Sequence, residues 1–280
     1  MLPWIYEFRW DAGHIIFLGV FYAVVATIIV TVVKALMRAR KDFTSHRDTD
    51  VLWKAAFEDL AKEAKTCRHE FLGDVKQRTC DHEFDCRTCE THAAWLAKGV
   101  TSDEPRIQAA QVEQILGLRM PLDRLYHRGH TWVRPEVDGT ISVGLDDFAR
   151  RLVGTADGVV LPKVGQKVHV NGTGWKFRKK DSEIRILCPV DGEVVAARDE
   201  TSGWHLRVKP EGDKIDFRHL FGKDELKPWL TREMERLQAA LSSRGVGVSL
   251  ADGGVPVDDM PASYKDADWD AIWGEMFLEN

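Results

Sequence analysis

The chain has no surplus of positive charge: 39 Lys and Arg stand against 44 Asp and Glu over 280 residues, a net charge of -5 with histidine neutral. A surface of that balance has no general attraction for a polyanion, which excludes nucleic acid as a partner. Catalytic motifs are also missing. No nucleophile with its base, no glycine-rich phosphate loop and no paired-carboxylate motif is present, so the chain is not expected to be an enzyme. No fixed-period repeat runs along it, which excludes a stacked-repeat architecture.

Two local absences say more. Ile15 to Val33 (IIFLGVFYAVVATIIVTVV) holds no charge over 19 positions, and as a helix at about 1.5 Å per residue it spans about 28 Å, close to the thickness of a bilayer core. No polar stripe interrupts it, so a transmembrane helix is predicted over residues 15–37. The leader, residues 1–14, is not basic and no small-x-small site follows the apolar run, which argues against a cleaved signal peptide. Lys34, Arg38, Arg40, Lys41 and Arg47 face a single acid, Asp42, after the run, whereas the leader has Glu7 and Asp11 against Arg9. That asymmetry predicts a single-pass inner-membrane protein with its N-terminus outside and the bulk of the chain cytoplasmic. Trp4, Tyr6 and Trp10 would then sit in the outer interfacial belt.

The second absence is of aliphatic residues between Cys67 and His92. Such a segment cannot build a core and needs a metal or a partner surface to order it. Four of the five cysteines lie here, spaced Cys67-x12-Cys80-x5-Cys86-x2-Cys89. Cytoplasmic thiols stay reduced, so the cluster points to metal rather than to disulfides. Zinc is the favoured ion, since four thiolates, or three with His69 or His92 as substitute, close a tetrahedral structural site. An iron-sulfur cluster is the alternative, although the spacing matches neither ferredoxin pattern. The echo CRHEF and CDHEF lacks two histidines four apart, which excludes a metalloprotease helix. Cys188, alone before Pro189, reads as a buried thiol.

Between these landmarks the pattern divides the rest of the chain. In a linker over residues 38–66, Leu52, Trp53, Ala56, Phe57, Leu60 and Ala64 recur at helical spacing behind a cap at Asp48 or Thr49. A connector over residues 93–122 is predicted to hold a second helix, Glu104 to Leu116, ending before Gly117 and Pro121. From Leu125 short alternating strands separated by Gly, Asp and Pro turns predict an all-β module, with Val143, Val168, Val170, Ile184, Ile186, Val194, Leu206 and Val208 as its core. Gly165 and Gly192 mark tight turns. Trp132, Trp175, Trp204 and Trp229 read as core and rim aromatics. A helix from Lys223 to Leu241 closes the domain, residues 123–243. Residues 244–280 carry eight acids against two bases and read as an acidic linker. Its end differs: Trp269, Ile272, Trp273, Met276 and Phe277 share one helical face, a sticky surface expected to dock on this chain or on a partner subunit.

The segments YHRGHTWVRPEVDGTISVGLDDFARRLVG (Tyr126 to Gly154), LPKVGQKV (Leu161 to Val168), CPVDGEVVAA (Cys188 to Ala197) and GWHLRVKP (Gly203 to Pro210) occur together and in this order. In them the chain resembles the glycine cleavage system H protein, a lipoyl carrier. The resemblance implies a lipoyl-like flattened β-sandwich, an all-β core domain with flanking α-helices, here behind one N-terminal transmembrane helix. It also implies a lipoyl lysine at a hairpin tip eight residues before the proline matching Pro189, and that position is Asp181. Lipoate needs an amine for its amide, so lipoate is not expected, and Asp181 marks a degenerate carrier site. A shift of one residue would put Lys180 at the tip as the alternative modified residue. The family's acid three residues earlier is Arg178, and the loop before the GW strand is shortened. These readings predict a non-catalytic, membrane-anchored scaffold or accessory subunit of a larger membrane complex. The alternatives are an iron-sulfur electron-transfer subunit of a respiratory membrane complex and a lipoyl carrier modified on Lys180.

Overall fold

The computed structural model describes residues 11–45, 47–98, 107–198, 203–212, 215–243 and 256–279. The expected interfacial belt of Trp4, Tyr6 and Trp10 and most of the acidic linker lie outside the described residues. The chain divides into two units, Met1–Asp48 and Thr49–Asn280. In the first, α1 runs from Ala12 to Ser45. Its segment Ala12–Met37, with mean hydropathy 2.7, is long and apolar enough to cross a membrane. The hydroxyls inside it are satisfied by the helix itself: Thr27 donates to the Ala23 carbonyl at 2.8 Å, and Thr31 to that of Thr27.

In the second unit α2 (Arg47–Asp59), α3 (Arg68–Phe71) and α4 (Glu90–Ala97) precede the strands. Trp53, Ala56, Phe57, Leu60 and Ala64 are buried as their spacing requires, while Leu52 is exposed. The helix expected at residues 104–116 is instead a hairpin of β1 (Val112–Ile115) and β2 (Leu118–Pro121), with residues 104–106 outside the description. Leu116 (φ +51°) and Gly117 (φ +78°) make a two-residue turn with both residues left-handed, the geometry that matches strand twist. Ile115, Leu118 and Met120 then fall on the buried side. Over so short a window helical and strand spacing are hard to separate, and tertiary burial decides.

The β module is two antiparallel sheets packed face to face. One has six strands in the order β3 (Leu125–Tyr126), β4 (Thr131–Pro135), β5 (Ile141–Leu145), β11 (Leu206–Pro210), β10 (Gly192–Ala197) and β7 (Lys167–Val168). The other is β6 (Gly158–Val160), β8 (Thr173–Lys179) and β9 (Ser182–Leu187). Alternation places Val133, Val143, Val194, Leu206 and Val208 of the first sheet and Trp175, Phe177, Ile184 and Ile186 of the second in one buried cluster. Val170, expected in that core, is only half-buried. Gly165 (φ +88°) makes the expected turn. Gly192 answers a different need, because a Cβ there would run into the Lys209 carbonyl of β11.

Helix α5 (Asp147–Val153) is capped by the Asp146 carboxylate, which accepts the Ala149 N–H at 2.7 Å. Helix α6 (Lys223–Ser243) lays Leu226, Trp229, Leu230 and Leu237 into the core. The end of the chain forms α7 (Met260–Ser263) and α8 (Trp269–Met276). Trp269, Ile272, Trp273, Met276 and Phe277 are all buried in this chain's own core, and Trp273 Nε1 donates to the Leu152 carbonyl at 2.8 Å. Their expected role as a partner-binding surface is therefore corrected. The apolar face is covered from within.

Candidate functional site

Two places on this frame carry the sequence-predicted site residues. The first is the tip of the β8–β9 hairpin. Register runs without interruption through Phe177↔Ile184, Arg178↔Glu183 and Lys179↔Ser182, leaving Lys180 and Asp181 as the two turn residues. The irregularity in this pair lies between Thr173 and Trp175, far from the tip, so no bulge moves Lys180 into the position of Asp181. Both turn residues are exposed. Lys180 has φ +54°, and its backbone N–H donates to Asp157 Oδ2 at 2.6 Å.

The flanks of the hairpin are tied down by the chain's own end. Lys179 Nζ donates to the Val153 carbonyl at 2.6 Å and lies 3.8 Å from Asp259, the N-cap of α7. Ser182 Oγ is hydrogen-bonded to Asp270 of α8, and the buried Arg185 pairs with Glu279 at 3.1 Å. On the outer face Lys176 and Arg178 both approach Glu183, at 2.9 and 3.6 Å, and spend their charge locally.

The second place is the cysteine segment. An antiparallel bridge, Thr66↔Thr79, with Cys67 N–H on the Arg78 carbonyl (2.8 Å) and Cys80 N–H on the Lys65 carbonyl (2.6 Å), sets Cys67 beside Cys80. Glu83 (φ +50°) and Phe84 (φ +61°) are successive left-handed residues that turn the chain back toward Cys86. Phe84 is held there by burial against Phe57, ring centroids 5.1 Å apart, and by the Arg128 guanidinium 4.0 Å from its centroid. Cys89 is the N-cap of α4. All four cysteines line one small cavity of about 30 Å³. Among the described residues, no three His, Cys, Asp or Glu side chains are drawn together as ligands of a single ion would be.

The histidines named as substitute ligands are occupied to different degrees. His69 Nδ1 meets Asp74 Oδ2 at 3.0 Å and its Nε2 meets His92 Nδ1 at 2.9 Å. A carboxylate only accepts, so His69 carries its proton on Nδ1 and receives the His92 Nδ1–H on Nε2. This uses both nitrogens of His69, which corrects its expected role as a ligand; His92 keeps Nε2. Burial lowers the pKa of both, His92 to about 4, and holds them neutral. Burial also pushes the Cys80 and Cys86 thiols up, Cys86 to about 12, so without a metal they are protonated and inert. Cys188 lies apart, fully buried, its thiol facing the Val190 carbonyl at 3.3 Å.

Three cavity residues escaped the sequence reading: Arg68, Arg128 and His219. Arg68 forms a two-pronged pair with Glu225 and also donates to the Arg218 carbonyl. Arg128 is 3% exposed and donates to the carbonyls of Thr66 and Ala64. No local motif announces these positions, since they reach the cysteines only through the tertiary fold.

With this geometry in view, the family model of the glycine cleavage H-protein matches residues 124–203. The probable glycine cleavage system H protein of Natronomonas pharaonis is 31% identical over 119 residues, covering 38% of this chain and 92% of that protein. The chain belongs to the glycine cleavage H-protein family. The H protein of Burkholderia vietnamiensis is 36% identical over 93 residues, 33% of this chain and 70% of that protein. A solved H protein from Mycobacterium marinum, 22% identical, covers 38% of this chain and 94% of its own with a TM-score of 0.31. The H-protein domain thus includes the hairpin but not the cysteine segment, which lies before the matched residues.

Proposed function

We propose that this protein is a membrane-anchored H-protein that no longer carries lipoate and serves as a non-catalytic scaffold or accessory subunit of a membrane complex. The observation that carries this reading is Asp181, exposed in the two-residue turn at the hairpin tip. A carboxylate cannot form the amide that holds lipoate. The docked α7–α8 segment supports the same reading, because it ties both flanks of the hairpin to the rest of the domain. Helix α1 anchors the chain in the bilayer, and the basic flank after residue 34 puts the H-protein domain on the cytoplasmic side. Isolation from gently solubilised membranes should return the chain with stoichiometric partner subunits. A lone monodisperse chain would overturn the subunit assignment.

One specific feature favours a second reading, a carrier modified on Lys180: that side chain is exposed in the same turn. An accessible lysine one residue from the family position meets the chemical need for an amine. The flanking surface, with Arg178 in place of an acid, does not match what a ligase of this family would meet.

A further inference from the structure

We infer that the cavity lined by Cys67, Cys80, Cys86 and Cys89 is the binding site of an iron-sulfur cluster, one per chain, ligated by those four thiolates. The four side chains come from separate pieces of backbone, the strand bridge at residues 66 and 79, the left-handed turn at 83 and 84 and the start of α4, yet line one buried space. A single zinc ion needs its sulfurs drawn to about 2.3 Å of one point. Among the described residues no three donors converge in that way. Thiols that surround a common cavity without meeting at its centre are spaced for a polynuclear centre, whose inorganic sulfide fills the middle while each cysteine reaches one iron.

The charge around the cavity fits the same occupant. Arg128 is 3% exposed, its guanidinium faces backbone carbonyls and the Phe71 and Phe84 rings, and its Nε has no hydrogen-bond partner. A buried cation without a hydrogen-bonded carboxylate is costly unless something anionic stands nearby. A cluster bound by four thiolates carries net negative charge and supplies that counter-ion. Arg68 adds a second buried guanidinium that donates to the Cys86 sulfur, the kind of hydrogen bond that stabilises a cluster thiolate. His219, 4% exposed, also lines the cavity; its Nε2–H donates to the Pro189 carbonyl at 2.8 Å, leaving Nδ1 bare. Ligation replaces four S–H protons by four Fe–S bonds, and the protons pass to solvent.

The inference is independent of the scaffold reading, since it concerns a segment outside the matched family region. Its test is metal and sulfide analysis of the full-length protein, purified from membranes in mild detergent without oxygen. Iron and acid-labile sulfide are expected in equal amounts, about two to four of each per chain, with broad visible absorbance that bleaches on dithionite and a paramagnetic signal in the reduced state. Cys86→Ser and Cys89→Ser should each lose most of the iron, whereas Cys188→Ser should keep it. Stoichiometric zinc without sulfide would overturn the inference. So would a metal-free protein that takes up neither iron nor sulfide when ferrous iron and sulfide are supplied anaerobically. The wild-type analysis decides even if a cysteine variant fails to fold.

Discussion

The hairpin tip and the cysteine cavity are opposites. At the tip the backbone geometry of a carrier is intact: strands in register, a tight turn, an exposed side chain. The functional group has changed from amine to carboxylate. At the cavity there is no family backbone to inherit and little hydrophobic core, but four soft donors and two buried guanidiniums are gathered. A fold can outlive its chemistry, and new chemistry can be added by a segment that leans on the old fold. The support is visible at Arg128, which belongs to the H-protein domain yet reaches back to the carbonyls of Thr66 and Ala64.

The largest effect should come from the chain's end, which stands between the two regions. Trp273→Ala removes a buried indole and its hydrogen bond to Leu152, and should cost about 3–5 kcal/mol in denaturant unfolding. An unchanged midpoint would mean that α8 is not part of the domain and that the hairpin flanks are free. Next in size is pH. His130 is fully buried between Asp146 (2.9 Å) and Glu233 (3.7 Å), and these carboxylates raise its pKa to about 9 despite burial. The folded state thus holds a proton that the unfolded chain releases near pH 6.5. The contribution, about 3 kcal/mol at most, is complete below pH 6.5 and is lost as pH rises through 9. His127 and His219 behave in reverse: burial lowers them to about 3 and about 4, so stability falls as pH drops from 6.5 toward 4. Thermal midpoints across pH should therefore peak near neutrality, and His130→Gln should flatten the alkaline arm.

Gly154→Ala tests the strap beside the hairpin at smaller cost. At φ +59° an added Cβ would run into the Asp259 carboxylate, and a loss of about 1–3 kcal/mol is expected. Smallest is Asp181→Lys. An exposed turn residue should change unfolding by less than about 0.5 kcal/mol; a larger loss would show that the tip is structural rather than vacated.

Much of this was legible from residue order. Alternation placed Val143, Ile184, Ile186, Val194, Leu206 and Val208 inside, and all six are buried. The apolar run gave α1, and counting back from Pro189 gave Asp181. What could not be read depended on contacts far apart in the chain. The 112–121 hairpin was taken for a helix because its turn conformation, not its composition, sets its period. The apolar face of α8 was plain, but its cover, including Leu152 and Arg185 more than 80 positions away, was not. Likewise the cysteines announced themselves, whereas Arg128 and His219 join them only through the folded sandwich.

The central claim, a carrier fold without its cargo, is tested most directly by the intact mass of the protein isolated from its native membranes. The account predicts the mass of the unmodified polypeptide, with no lipoyl group on any residue. An added lipoyl mass located on Lys180 would contradict it and restore the carrier.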